Sequence, residues 1–220
     1  MSGGMPLAAA LAGVPAGVQA LGPWAGRRQL FVRFAGEAET ATMYMTPALT
    51  REMQRQMGRS TFHSIVIGGR DPLGSVPFLK AALDAVQPNV PVMLDTDGMR
   101  PEALVDLLSH LALVQVTVEF TGSEAALDHA IETLRVAAKG NVPHALVLVP
   151  REDTTDSVLL RLVQEAHAAS PNTAVVIHPP LNPENGATLD RRWATLLEQA
   201  VAAHPDTRLA MKVPPPTGLR

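Results

Sequence analysis

Cysteine is absent from this sequence of 220 residues. That absence excludes disulfides, thiolate nucleophiles, zinc sites built on cysteine and iron–sulfur clusters held by thiolates. An excess of positive charge is also lacking, since the formal net charge is −3 and the pI is about 6.1. Without a basic excess, we expect no nucleic-acid partner.

Long uninterrupted apolar runs are missing as well. Pro6, Pro15 and Pro23 break the apolar stretches near the beginning, and no basic segment precedes them. This pattern predicts neither a signal peptide nor a membrane-spanning helix. We therefore expect a cytoplasmic protein that does not engage a membrane.

Short apolar, β-branched runs alternate with helical patterns along the whole chain. Hydrophobic residues make up 46% and charged residues 18%, a globular composition, and the length favours one domain. Several runs are apolar throughout, as in parallel strands that are covered on both faces. The predicted strands are residues 29–34, 64–67, 90–94, 114–118, 145–149, 174–177 and 208–213.

Three helices are predicted between the later strands. Ser123 is placed to cap a helix that Gly140 ends, and Thr154 or Thr155 is placed to cap the next. A third helix carries one apolar stripe, formed by Leu189, Trp193, Leu196, Leu197, Ala200 and Val201. This alternation predicts an α/β domain with a parallel sheet, and periodicity leaves an open sheet and a barrel equally allowed.

Ligands of such folds bind at the carboxyl ends of the strands, which selects candidate site residues. The polar residues there are Arg70, Asp71, Asp95, Thr96, Asp97, Glu119, Arg151 and His178. Asp71, Asp95, Glu119 and His178 are the candidates for catalysis, and the same four residues together with Asp97 are the candidates for holding a divalent cation. Helix capping, turns and structural hydrogen bonds are the favoured roles, because no tight ligand spacing is present.

Residues 17–47 (GVQALGPWAGRRQLFVRFAGEAETATMYMTP) carry the most specific pattern. They resemble the N-terminal signature of the 7-carboxy-7-deazaguanine synthases, a radical-SAM family. Glu37, Ala41 and Tyr44 stand at the three cysteine positions, with the C-x-x-x-C-x-x-C spacing intact. Residues 68–72, 94–98 and 209–220 are similar to later family segments, so the resemblance covers nearly the whole chain.

The resemblance implies a single domain with the fold of a partial (β/α) barrel, often in a homodimer. It divides the chain into a signature segment (1–28), a βα core (29–213) and a tail (214–220). The implied activity makes 7-carboxy-7-deazaguanine for deazapurine (queuosine) biosynthesis with a 4Fe–4S cluster, S-adenosylmethionine and Mg²⁺. By matching position, Gln19 and Arg27 fall in the substrate segment and Thr46 near Mg²⁺. The S-adenosylmethionine segments contain Gly69, Asp71 and Thr96.

The departures from the family pattern decide the functional hypothesis. Glu, Ala and Tyr cannot ligate a 4Fe–4S cluster, so no cluster is expected, no cofactor is assigned, and the case for S-adenosylmethionine and Mg²⁺ is weak. Leu21 replaces a family glutamate, and Arg70 replaces a glycine. We therefore predict a non-catalytic binding protein or a partner of an active homologue or pathway enzyme. The alternatives are an enzyme with cluster-free chemistry in the same cleft and the ancestral role retained through an active partner.

Two local predictions accompany this hypothesis. Met43, Tyr44 and Met45 are expected to close the space of the lost cluster, with Tyr44 largely buried and its hydroxyl hydrogen-bonded. Arg70 is expected to pair with Asp71, Asp95 or Asp97, or else to receive an anion.

Overall fold

A computed structural model describes residues 7–121, 123–180 and 191–213. Within those residues ten strands form one sheet. The strands are β1 (Ala8–Gly13), β2 (Ala16–Val18), β3 (Arg28–Phe34), β4 (Thr42–Met45), β5 (Ser64–Gly69), β6 (Val92–Thr96), β7 (Leu113–Val118), β8 (His144–Leu148), β9 (Ala174–Ile177) and β10 (Thr207–Leu209). The α-helices are α1 (Thr46–Arg59), α2 (Val76–Val86), α3 (Pro101–Leu104), α4 (Glu124–Lys139), α5 (Asp156–Ala169) and α6 (Arg191–Ala203).

The sheet is parallel over most of its width. Strands β3, β5, β6, β7, β8, β9 and β10 lie side by side in that order, and a helix precedes each strand after β3. Strand β1 pairs antiparallel with β3 and β4, and β2 also pairs antiparallel with β3. Among the described residues the two outermost strands, β10 and β4, do not pair with each other, so the barrel stays open. The predicted fold class, a single-domain partial (β/α) barrel, is confirmed.

The main core lies between the outer face of the sheet and the helices. Val114, Val116 and Val118 alternate along β7 and are all buried in this layer. Helix α4 contributes Ile131 and Leu134, which share one face because they are three residues apart. The period of two in the strands and the helical period of 3.6 therefore meet in one apolar layer.

The inner face of the sheet is covered by residues 19–27, which connect β2 to β3 and are called the inner loop here. Trp24 packs against a small second core on that face, made of Val66, Met93, Leu113 and Ala145. Gly22 donates its N–H to Nε2 of His178 over 3.0 Å. A Cβ on Gly22 would lie 2.0 Å from Oε1 of Gln115, and its φ is +79°, so only glycine fits there.

The seven predicted strands and three predicted helices are all present. The strand predicted at 90–94 runs over Val92–Thr96, and the one predicted at 208–213 covers only Thr207–Leu209. In the predicted apolar stripe of α6, Val201 is exposed and Leu189 lies outside the described residues. The predicted tail, residues 214–220, also lies outside the described residues. Strands β1, β2 and β4 and helices α1 and α2 were not predicted.

Strand β4 corrects the prediction about the lost cluster. It lies at the edge of the sheet and, over the described residues, pairs with β1 alone. Met43 is 65% exposed and Met45 is 44% exposed, whereas Tyr44 is half-buried against the main core. The two methionines therefore fill no pocket, because alternation along an edge strand points both of them away from the core side that Tyr44 occupies.

In the described part of the chain, the helices are too short or too polar for any of them to cross a membrane.

Candidate functional site

A cleft of about 400 Å³ opens at the carboxyl ends of β5, β6 and β7. It is called the β6–β7 cleft here, and its lining consists of Leu21, Gly69, Asp95, Thr96, Asp97, Thr117, Glu119 and Thr121. Three carboxylates and three threonine hydroxyls thus border one cavity. This is the edge of the sheet where α/β folds bind their ligands.

Asp95 is the most enclosed of the three carboxylates. Its Oδ1 accepts a 2.7 Å hydrogen bond from Oγ1 of Thr117, which in turn accepts one from Nε2 of Gln115 over 3.2 Å. Burial raises the pKa of Asp95 above its ordinary value, hydrogen bonds from Thr117, Gln115 and Gln19 oppose that rise, and the charge of Glu119 adds to it. The enclosure of Asp95 therefore favours its protonated form.

Gly69 and Thr96 shape the floor of the cleft. Gly69 ends β5 with a φ of +94°, and a Cβ there would lie 2.2 Å from the carbonyl oxygen of Phe34. Thr96 is buried, and its Oγ1 accepts the N–H of Gly98 over 3.1 Å. Both residues therefore serve the backbone geometry of the cleft in addition to lining it.

Asp97 and Glu119 are the exposed carboxylates at the mouth of the cleft. Oδ1 of Asp97 accepts the N–H of Met99 over 3.1 Å, which closes a turn. Over the residues that the structure covers, Asp95, Asp97 and Glu119 form no ion pair. In that part of the chain no cation therefore neutralises these carboxylates, although Asp95 already accepts a hydrogen bond from the Thr117 hydroxyl.

An apolar annex of about 300 Å³ adjoins the cleft. Its apolar lining is Met99, Val118, Phe120, Ala126 and Leu127, and it shares Asp97, Thr117, Glu119 and Thr121 with the cleft. Phe120 has a φ of +55°, a left-handed conformation that costs about 1–2 kcal/mol in a residue with a side chain. Packing of its ring against the main core helps to offset that cost.

The residues that follow β5 point elsewhere. Oδ1 and Oδ2 of Asp71 accept Nε of Arg100 at 2.8 and 3.0 Å. Arg70 pairs with Glu37 at 2.6 Å, so the expected pairing with Asp71, Asp95 or Asp97 is wrong. The reason is topological, because the loop after β3 brings Glu37 beside the loop after β5.

Other predicted site residues are scattered. Gln19 is buried in the inner loop, and a hydrogen bond from its side chain lowers the pKa of Asp95. Arg27 is exposed. Thr46 donates its hydroxyl to the carbonyl of Leu7 over 3.3 Å at the β1–β4 edge. His178 is buried and holds the inner loop rather than lining the cleft.

The positions that match the cluster cysteines do not fit an iron–sulfur cluster. Glu37 is exposed and paired with Arg70, Ala41 is exposed, and Tyr44 lies on β4. The sequence holds no thiolate to replace them. In the described ranges, no group of three histidine, aspartate or glutamate side chains converges for a metal ion either.

Sequence reasoning missed Thr117, Thr121 and the two-sided role of Leu21 as both loop and cleft residue. A signal for Thr117 was present, because Gln115, Thr117 and Glu119 alternate in an otherwise apolar strand. Alternation places all three on the inner face, toward the ligand edge.

Comparisons with known proteins identify no family. No family model matches the chain, and no curated protein matches it. Among solved structures, a D-tagatose 3-epimerase-like protein is 14% identical with a TM-score of 0.40, over 73% of this chain and 72% of its own. Dihydropteroate synthase (FolP) from Thermus thermophilus is 17% identical with a TM-score of 0.37, over 92% of each chain. Likenesses this distant carry no argument about activity.

Proposed function

We propose that this protein is a cluster-less relative of the 7-carboxy-7-deazaguanine synthases that binds a small amine-bearing molecule in the β6–β7 cleft without radical chemistry. The observation that carries the proposal is the set of three carboxylates around a cavity of about 400 Å³, with no ion pair to any of them in the described chain. Carboxylates without an ion-pair partner accept hydrogen bonds and positive charge from a ligand.

The annex narrows the class of ligand. Its apolar lining, with the ring of Phe120, suits a flat ring system, while Asp97 and Glu119 at the shared rim suit amino groups on that ring. Binding sites commonly combine an apolar surface with a few convergent polar groups in this way. Pterin-like and purine-like compounds have both features.

The absence of cysteine supports the non-radical part of the proposal. Reductive cleavage of S-adenosylmethionine needs an iron held by three thiolates, and the chain has none. We therefore expect S-adenosylmethionine to bind weakly or not at all, since no iron chelates its methionine end. Anaerobic reconstitution with iron and sulfide is expected to leave the protein colourless, and a reducible 4Fe–4S signal would contradict the proposal.

Isothermal titration with a panel of pterins, purines and S-adenosylmethionine tests the binding site. Glu119→Gln and Asp97→Asn are each expected to lower the affinity for the tightest-binding compound by about tenfold or more, the scale of a lost charge-assisted hydrogen bond. Glu132→Gln is the matched control, because Glu132 pairs with Arg135 on the surface of α4 and does not line the cleft. Unchanged affinity in both cleft variants would refute the assignment.

A second candidate function rests on Asp95. Burial raises its pKa, and a proton-holding carboxyl at the ligand edge of a barrel is suited to general acid catalysis. To test this candidate, the protein is incubated with each compound that binds it, and the mixture is analysed by mass spectrometry for a product. A product that appears with the wild type and disappears with Asp95→Asn, while ligand affinity is retained, favours an enzyme over a binding protein.

A further inference from the structure

A second cavity, of about 490 Å³, opens at the end of the sheet opposite the β6–β7 cleft. Arg28 begins β3, residues 60–62 lead into β5, and Asn89 precedes β6, so the cavity lies at the amino-terminal ends of these strands. It is called the basal pocket here, and the residues that matter are Arg28, Arg59, Ser60, Thr61, Phe62 and Asn89. The proposed ligand of the β6–β7 cleft does not account for it.

The guanidinium of Arg28 is positioned but not neutralised. It lies 5.2 Å from the centroid of the Phe62 ring, in a cation–π contact. Its Nη2 also donates to Oγ of Ser60 over 3.4 Å. Within the described ranges Arg28 has no carboxylate partner, and no carboxylate is among the residues that line the pocket. An arginine oriented by neutral groups keeps its charge and most of its donors for a ligand.

Arg59 supplies a second cation from the last turn of α1. Glu52, on the same helix, is already bonded by Arg55 through Nε at 2.8 Å. No ion pair of Arg59 occurs in the described part of the chain. The lining of the basal pocket therefore includes two arginines that have no carboxylate partner within the described residues.

Neutralisation of helix termini accounts for only part of this charge. Helices α1 and α2 both end at this edge, and each carries about −0.5 charge at its C-terminus. Two guanidinium groups contribute +2, so about +1 remains after both helix ends are counted. That remainder, in a concave pocket, favours an anionic ligand.

We propose that the basal pocket binds the phosphate group of a small metabolite. A phosphate offers enough oxygens for two guanidinium forks, whereas a single carboxylate satisfies one. Thr61 and Asn89 line the same pocket, and their side chains carry hydrogen-bond donors of the kind that bind phosphate. The volume is within the range of small-molecule sites. This site is independent of the β6–β7 cleft, so either can fail without the other.

Isothermal titration with pyrophosphate at constant ionic strength tests the proposal on the full chain. Saturable one-to-one binding is expected, with Arg28→Gln and Arg59→Gln each weakening it by about tenfold or more. Arg55→Gln is the matched control, because it removes a cation of α1 that is bound to Glu52 and does not line the pocket. The control is expected to change affinity by less than about twofold at fixed ionic strength.

Three outcomes overturn the proposal. The first is no saturable binding at millimolar pyrophosphate, and the second is an equal loss in Arg55→Gln, which indicates non-specific attraction by net charge. The third is equal affinity for citrate, which assigns the pocket to carboxylates. If Arg28→Gln does not fold, Arg28→Lys replaces it. That variant keeps the charge but loses the planar fork, and it is expected to bind more weakly than wild type.

Discussion

The two ends of the parallel strands, called the carboxyl edge and the amino edge here, carry opposite charges. Among the described residues, the β6–β7 cleft at the carboxyl edge is lined by three carboxylates and no cation, while the basal pocket at the amino edge is lined by two arginines and no carboxylate. Parallel βα units place helix N-termini at the first edge and helix C-termini at the second, so each set of charges also complements the helix dipoles. Each set of charges therefore contributes to fold stability as well as to ligand affinity. Stability and affinity have to be measured on the same variants.

The largest effect is expected from the inner loop, which lines the β6–β7 cleft through Leu21 and does not line the basal pocket. Gly22→Ala is expected to cost about 2–4 kcal/mol, from left-handed strain and from the clash with Gln115. Gly26→Ala is the matched control, because Gly26 has a φ of +80° but no atom within 4 Å of an added Cβ. It is expected to cost about 1 kcal/mol in chemical denaturation. Equal losses would show that the loop does not pack against the sheet as described.

The same glycine comparison distinguishes the two edges by binding. In Gly22→Ala, ligand affinity at the β6–β7 cleft is expected to fall, because Leu21 lines it and Gln19 acts on Asp95. Pyrophosphate affinity is expected to stay unchanged in any folded fraction. A parallel loss at both edges would instead indicate general unfolding.

His178 is expected to make the inner loop sensitive to acid. Burial lowers the pKa of His178 below its ordinary value, a hydrogen bond with the backbone of Ala210 opposes that change, and the charges of Lys212 and Arg208 add to it. The neutral form accepts the Gly22 N–H, and a protonated Nε2 cannot. Stability from this group is thus present above the unfolded pKa of about 6.5 and is lost as pH falls through the folded pKa.

Denaturation of the wild type and His178→Ala across pH checks this expectation. At pH 7.5 the variant is expected to lose about 1–3 kcal/mol, since the Gly22 N–H is left buried without an acceptor. The difference should shrink as the pH falls, because the wild type then loses the same bond. A difference that is constant with pH would mean that His178 does not titrate with folding.

Asp95→Asn is expected to act in the opposite direction on stability. Burial raises the pKa of Asp95, so folding favours the protonated carboxyl, and stability from this group is lost as pH rises through the folded pKa. At neutral pH the amide removes a charge from a buried site, with a gain of about 1 kcal/mol expected, or about 2–4 °C in Tm. The gain should vanish near pH 4. A loss of stability at neutral pH would contradict this account.

The smallest effect is expected at an exposed ion pair at the carboxyl edge, where Asp71 follows β5 and Arg100 precedes α3. Arg100→Gln removes the bond to Asp71 and is expected to cost about 0.2–1 kcal/mol, because both side chains are close to half-exposed. Binding at either edge is expected to remain within about twofold of wild type. A larger loss of cleft affinity would indicate that Asp71 belongs to the binding site after all.

The fold class, the seven parallel strands and helices α4, α5 and α6 could be predicted from local patterns, because apolar runs and helical spacing are encoded within short segments. Strand β4 could not, since its four residues pair with β1, more than thirty positions earlier, and its alternation exposes two methionines. The position of the inner loop could not be predicted from the sequence either. Trp24 and Gly22 are placed by contacts with several different strands.

The sequence by itself determined that no thiolate-held cluster can form and that Gly69, Asp95, Thr96, Asp97 and Glu119 share the ligand edge, since parallel strand ends meet there. Tertiary structure alone decided which charges remain available. Arg70 forms an ion pair with Glu37, and Asp71 forms one with Arg100. Glu119 forms no ion pair over the described residues. Tertiary structure also joined Arg28, Arg59 and Asn89 in one pocket, because ion pairs and cavities depend on distances between segments that are remote in the chain.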